Sequence, residues 1–131
     1  MESFRKTGAV IAALAGLAWG GAAVADIRDY EFQLVQQELK KGDATVAVRL
    51  VNTKTGKSVP DAVIIAKRLD MAPDAMAEMA TRLDPLPSTE PGVYRFKAKL
   101  SMEGRWQLSL GAKVQGETGT VESKLILTAI K

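Results

Sequence analysis

Three of the chain's five methionines stand close together in Asp70–Met79, "DMAPDAMAEM", at Met71, Met76 and Met79. A thioether sulfur is a soft, uncharged ligand, which selects Cu(I) or Ag(I) over Zn²⁺ or Ca²⁺. The spacings of five residues from Met71 to Met76 and three from Met76 to Met79 would allow a loop followed by one helical turn to bring the three sulfurs to one ion. The segment therefore predicts a site for a soft monovalent metal. Met102 would add either a fourth sulfur or a packing neighbour.

The same methionines have a second interpretation that needs no metal. Met76, Met79 and Leu83 follow the spacing of an apolar helix face, and methionine fills irregular gaps in hydrophobic cores. They would then cover one end of the core. The nearby acidic residues match no calcium-loop spacing and predict no site of their own: Asp70, Asp74, Glu78 and Asp84.

Histidine and cysteine are both absent from the sequence. The chain therefore lacks the commonest general base, the commonest zinc ligand and every Ser-His-Asp or Cys-His arrangement. We expect no enzymatic activity, because no candidate nucleophile has a base to activate it. Without disulfides, the fold must be stabilised by its hydrophobic core, which a domain of about 100 residues can provide.

The N-terminus has the layout of a secretory signal peptide. Arg5 and Lys6 precede the apolar run 9–18, and Ala23-Val24-Ala25 supplies the small-x-small cleavage pattern. We therefore expect residues 1–25 to be a cleaved signal peptide and the mature protein to be periplasmic and soluble, with no stable membrane insertion. An uncleaved membrane anchor is the alternative.

Residues 26–131 are then about the size of one domain. The whole chain has a formal net charge of +3, and removal of residues 1–25 lowers it by one unit. A domain this close to neutrality gives no electrostatic argument for binding nucleic acid.

Alternating apolar and polar residues predict that most of the domain is β-strand, with one buried and one solvated face per strand. The alternation is clearest in Asp43–Val51, Val93–Leu100 and Arg105–Ala112. Further strands are expected at 62–69 (which could be buried on both faces), at 120–130 and at 30–39. In the last of these the apolar parity switches at Val35, which a bulge or a change of sheet would explain. Short strands separated by Gly- and Pro-containing turns predict an all-β, immunoglobulin-like antiparallel β-sandwich of about seven strands.

The methionine segment lies in an insertion, residues 70–89, that breaks this alternation. We expect it to be short and helical or irregular, because 74–83 is rich in Ala, Met and Glu. Pro73 could begin a helix, and Pro85 and Pro87 would end it.

Four basic residues near the alternating strands form a candidate interaction surface: Arg95, Lys97, Lys99 and Arg105. The simplest interpretation is a solvated outer face. The alternative is docking to an acidic partner or to anionic lipid headgroups.

Between about residue 45 and residue 112 the chain resembles the YtkA-like/FixH family of small exported β-sandwich proteins. The matching pieces are "AVRLV" (47–51), "GKSVPDA" (56–62), "PGVY" (91–94) and "LSMEGRWQL" (100–108). The resemblance implies an immunoglobulin-like domain, similar in outline to CopC-type copper carriers, and a link to copper or heavy-metal handling. CopC-type carriers bind Cu(II) through histidine, which this chain lacks, so only the methionine site for Cu(I) remains.

The sequence thus leaves two functional hypotheses. The first is a periplasmic protein that binds or passes Cu(I) or Ag(I), supplying it to an envelope transporter or an oxidase-assembly partner. The second is a metal-free β-sandwich module, without a cofactor, that docks on such a partner.

Overall fold

The computed structural model describes residues 26–131, and the predicted signal peptide lies outside them. After a 3₁₀ turn at Ile27–Asp29, ten strands follow in chain order: β1 Tyr30–Leu34, β2 Glu38–Lys40, β3 Gly42–Asn52, β4 Lys57–Ser58, β5 Val63–Met71, β6 Met76–Thr81, β7 Asp84–Leu86, β8 Val93–Leu100, β9 Gly104–Lys113 and β10 Val121–Ile130. A second 3₁₀ turn, Ala72–Asp74, separates β5 from β6.

The strands form two sheets that enclose one core. The first sheet has the order β1-β3-β8-β7, with β4 paired to β3, and the second has the order β2-β10-β9-β5-β6. Every pairing is antiparallel except that of β2 with β10. This architecture confirms the predicted β-sandwich.

The core is built from the inner faces of the long strands. Trp106 is fully buried on β9, where it stands opposite Leu127 of β10. Phe32 of β1 packs edge-on against Tyr94 of β8, with the ring centroids 6.4 Å apart. Such buried aromatic area supplies much of the stability of a domain without disulfides.

The parity switch at Val35 corresponds to a change of sheet. β1 pairs with β3 in the first sheet, whereas β2 pairs with β10 in the second. The chain crosses between the layers at Val35–Gln37, so the apolar positions change parity there. Of the two explanations that the sequence allows for the parity switch, a bulge or a change of sheet, the structure shows the change of sheet.

The prediction of a helical or irregular insertion at 70–89 is wrong in both respects over most of its length, since the segment contains strands β6 and β7. Leu69 and Met71 on β5 are fully buried in the core, and β6 pairs with the backbone of Leu69, Asp70 and Met71 at the edge of the same sheet. Strand pairing therefore overrides a helix propensity that is marginal for so short a segment. Pro73 does begin a helical turn, but only the 3₁₀ turn Ala72–Asp74.

The strand predicted at 62–69 exists, but it is not buried on both faces. Val63 and Ile65 remain 56% and 53% exposed. They lie in a part of β5 that β6 does not reach, since β6 pairs only with Leu69, Asp70 and Met71.

Tyr94 links β8 to the segment that leads into β5. Its hydroxyl donates to the carbonyl oxygen of Val59 at 2.6 Å and accepts from the backbone N–H of Ala62 at 3.0 Å. Burial raises the pKa of the Tyr94 hydroxyl above its usual range. The neutral hydroxyl thus fixes the approach of β5 to the first sheet.

We predict that Tyr94→Phe destabilises the fold by about 1–2 kcal/mol, because it leaves the carbonyl of Val59 and the amide of Ala62 without this partner. Urea unfolding measures the change, with Tyr30→Phe, which removes the hydroxyl bonded to Glu117, as the comparison variant. An unchanged unfolding midpoint for Tyr94→Phe would show that water replaces the hydroxyl fully.

Candidate functional site

The methionine segment forms a tight reversal between two strands of the second sheet. β5 ends at Met71, the 3₁₀ turn follows, and β6 begins at Met76. Ala75 completes the reversal in the left-handed region, at φ 62°, with its N–H donating to the carbonyl of Ala72 at 2.9 Å. Met71 and Met76 are direct partners across the two strands. Partners of this kind project to the same face of a sheet, which brings their side chains together.

Met71 is the most enclosed of the four candidate ligands, with no exposed surface. Its terminal methyl carbon, Cε, reaches the start of β9, and a Cβ on Gly104 would lie only 2.6 Å from it. Met102 lies two residues before Gly104, in the turn between β8 and β9. Met71 therefore extends toward the turn that carries Met102.

Met79 and Met76 lie between the core and the solvent. Both are half-buried and pack against the core cluster. The β5–β6 register jumps from the Asp70–Ala80 pair to the Met71–Met76 pair, so Met79 lies in an irregular part of β6. Met102 is 37% exposed, and its carbonyl accepts a hydrogen bond from the Trp106 indole nitrogen at 3.2 Å.

An ion pair holds the reversal against β9. The backbone N–H of Arg105 donates to Asp74 Oδ2 at 2.8 Å, and the Arg105 side chain donates Nε to Asp74 Oδ1 at 2.9 Å. Arg105 Nη2 also donates to the carbonyl of Pro73 at 2.8 Å. The hydrogen bonds from the Arg105 backbone and side chain lower the pKa of Asp74 below its ordinary value.

A second ion pair holds the other side of the reversal. Arg68 Nε donates to Asp70 Oδ2 at 2.6 Å, and the backbone N–H of Ala72 donates to Asp70 Oδ1 at 2.9 Å. Arg68 Nη2 also donates to the carbonyl of Ala77 at 2.8 Å. Asp70 is only 4% exposed, and these bonds compensate its burial.

Asp70 and Asp74 thus have structural partners. Within residues 26–131, no group of three or more His, Cys, Asp or Glu side chains is placed to hold a metal ion.

The two arginines that brace the reversal were not predicted from the sequence. Arg105 is 31 residues away from Asp74 in the chain, so no local spacing connects them. From the sequence alone, Arg105 belongs to one candidate basic surface with three residues of β8. Arg95, Lys97 and Lys99 do share an exposed face of the first sheet, but Arg105 lies on β9 in the second sheet.

Comparison with known proteins assigns the family. The YtkA-like family model matches residues 25–111. The chain belongs to the YtkA-like family. The matched residues include all four candidate methionines and both bracing arginines, so these features lie within the domain that defines the family.

Two solved structures are similar to this member of the YtkA-like family. The crystal structure of the Lin-41 filamin domain has a TM-score of 0.47 at 15% identity, covering 82% of this chain and 95% of that one. The ZirS C-terminal domain has a TM-score of 0.45 at 14% identity, covering 100% of this chain and 88% of that one. No curated protein sequence matches the chain. None of the helical turns between residues 26 and 131 has the length and apolarity needed to cross a membrane.

We predict that Gly104→Ala disrupts the reversal. Gly104 has φ +137°, and a Cβ there would lie 2.6 Å from Met71 Cε and 2.7 Å from Asp74 Oδ2. Gly42→Ala is the matched control, because Gly42 has φ +109° with nothing within 4 Å of the added Cβ. Backbone strain should lower the free energy of unfolding of both variants by about 1–3 kcal/mol, as measured in urea. The decrease should be larger for Gly104→Ala, because only there does the added Cβ meet other atoms. Equal losses would contradict the packing described here.

We also predict a pH dependence for the contribution of Asp74. Because its folded-state pKa is lowered, its carboxylate stabilises the fold fully above the unfolded value of 3.8. This stabilisation is lost as the pH falls through the lower, folded-state pKa. The stability difference between wild type and Asp74→Asn should therefore be constant near neutrality and shrink in strong acid. A difference that does not change with pH would rule out the ionised pair as its source.

Proposed function

We propose that this YtkA-like protein binds Cu(I) or Ag(I) through Met71, Met76 and Met79, with Met102 as a fourth donor. The observation that carries the proposal is the direct pairing of Met71 with Met76 across the β5–β6 reversal. The first of these methionines also extends toward the turn that carries Met102. Methionines that are separate in sequence are thereby drawn toward one end of the sandwich.

The chemistry of the donors supports a soft monovalent ion. Thioether sulfurs carry no proton, so metal binding would not compete with protonation, unlike binding by thiolate or imidazole. The ion would then be bound as cargo at the border of the core, where Met76 and Met79 are half-buried. Uncharged ligands also favour an exchangeable site over a permanent one.

The biological setting forms part of the same proposal. The protein would act in the periplasm, after removal of residues 1–25, by passing the ion to an envelope transporter or an oxidase-assembly partner. This is ligand exchange and requires no catalytic residue. Its supports are the signal-peptide layout of the N-terminus and the family membership.

Full burial of Met71 favours a second candidate, a metal-free module that docks on an envelope partner. In that case the methionines serve only to close the end of the core. Arg95, Lys97 and Lys99 give such a module a basic, exposed stripe on β8.

A Cu(I) titration under a competing chelator separates the two candidates. We predict one tight site in the mature wild type, and a loss of affinity of about a hundredfold or more when Met71, Met76 and Met79 are all changed to Leu. Leucine preserves volume and apolarity but removes the sulfur donor. Met102→Leu alone tests the fourth ligand, and Zn²⁺ should bind neither protein.

Urea unfolding of the triple variant provides the control for folding. If the variant is as stable as wild type and only the tight site disappears, the metal hypothesis stands. If wild type and variant bind Cu(I) equally weakly, the methionines are core residues and the second candidate replaces the first.

A further inference from the structure

Part of β5 is an unpaired sheet edge. β9 pairs with β5 along Val63–Asp70, whereas β6 pairs only with Leu69, Asp70 and Met71. Within the described residues 26–131, no strand pairs with the other side of 63–68. An unpaired stretch of this length presents backbone N–H and C=O groups that can accept an additional strand.

The composition of this edge makes it apolar as well as open. Val63 and Ile65 are 56% and 53% exposed, and both are β-branched residues that favour strand pairing. The register between β5 and β9 shifts between Gly111 and Ala112, which leaves Ile65 as the extra residue of a bulge. Exposed β-branched side chains on an unpaired edge favour pairing with a further strand.

A cavity of about 730 Å³ opens beside this edge, between the two sheets. Ile64 of β5 lines one wall, and the opposite wall includes Leu86 of β7 together with Tyr94 and Phe96 of β8. A strand added to β5 would direct alternate side chains into this cavity and the others to solvent. Backbone pairing would supply affinity and the cavity would supply selectivity.

The charges around the cavity define which segment fits. Lys67 lines the cavity and is exposed to solvent. It pairs with the buried Leu110 of β9, so its side chain projects from the inner face of the sheet. Arg95 starts from the outer face of β8 and donates to the carbonyl of Pro87 at 3.3 Å, and Glu90 is paired with Arg49 at 2.6 Å. Lys67 and Asp61 then remain as one basic and one acidic side chain of the lining, and of these Lys67 is the one carried by the open edge.

The same charges disfavour a second copy of this chain. An inward-pointing lysine on an edge strand discourages pairing between identical edges, because two copies would bring like charges together in an apolar groove. A carboxylate on the added strand would instead neutralise Lys67.

We propose that the Val63–Arg68 edge and the adjoining cavity bind an extended peptide segment of a partner protein, by strand addition, with an acidic residue of the peptide paired to Lys67. This binding is independent of metal. The proposal defines the peptide that the partner must contain: alternating apolar residues with one carboxylate. Neither the methionine segment nor the β8 stripe defines a partner in this way.

The test uses a labelled synthetic peptide of about ten residues, in which valine alternates with threonine and one central position is glutamate. A matched peptide carries lysine at that position. Fluorescence anisotropy with the mature protein should show binding of the glutamate peptide about tenfold tighter than that of the lysine peptide. N-methylation of alternate backbone amides in the glutamate peptide should abolish binding, because it removes strand pairing.

Lys67→Glu provides the decisive variant, since it should reverse the preference between the two peptides. Lys40→Glu changes an exposed lysine on β2, at the far edge of the second sheet, and should leave both affinities unchanged. Circular dichroism and urea unfolding check that both variants fold. Absence of any preference in wild type, or an unaltered preference in Lys67→Glu, overturns the proposal. So does sedimentation of the wild type as a dimer that excludes the glutamate peptide.

Discussion

The close approach of the Met71–Met76 reversal to the start of β9 is the constraint on which this end of the molecule depends. Gly104 has no side chain, and the space that a Cβ would occupy is bordered by Met71 Cε and the Asp74 carboxylate. Arg105 follows at once and binds Asp74 through both its backbone and its side chain. A buried thioether and an ion pair are thereby fixed at the same place.

This arrangement explains how a segment of strong helix formers becomes a strand. Residues 76–81 pair with the end of β5, where the strand backbone would otherwise be left at an open edge, and Arg68 and Arg105 hold the turn that reverses the chain. The chain belongs to the YtkA-like family, and its strands form two sheets. What remains proposed is the use made of the methionines and of the open edge.

Much of the fold could be predicted because alternation in strands such as β8 and β9 reports directly which face is buried. The sheet change after β1 also left a signal, the parity switch at Val35. The β5–β6 reversal left no such signal in the sequence. Arg105 contacts Asp74 only once the sheets have assembled, and the local helix propensity of 74–83 pointed to a helix. The open edge at Val63–Arg68 was hidden for the same reason. Its apolar composition suits a buried strand, whereas β6 pairs only with Leu69, Asp70 and Met71 and leaves 63–68 unpaired.

The most direct test of the methionine site is to follow the four methionine methyl groups by NMR during titration with Ag(I). Isotope-labelled methyls of Met71, Met76, Met79 and Met102 report separately on each sulfur. A shared site predicts that the signals of Met71, Met76 and Met79 shift together and saturate at the same Ag(I) ratio, despite the burial of Met71. If these three signals stay in place while Ag(I) is added, the methionines only close the core and the metal-binding account is wrong.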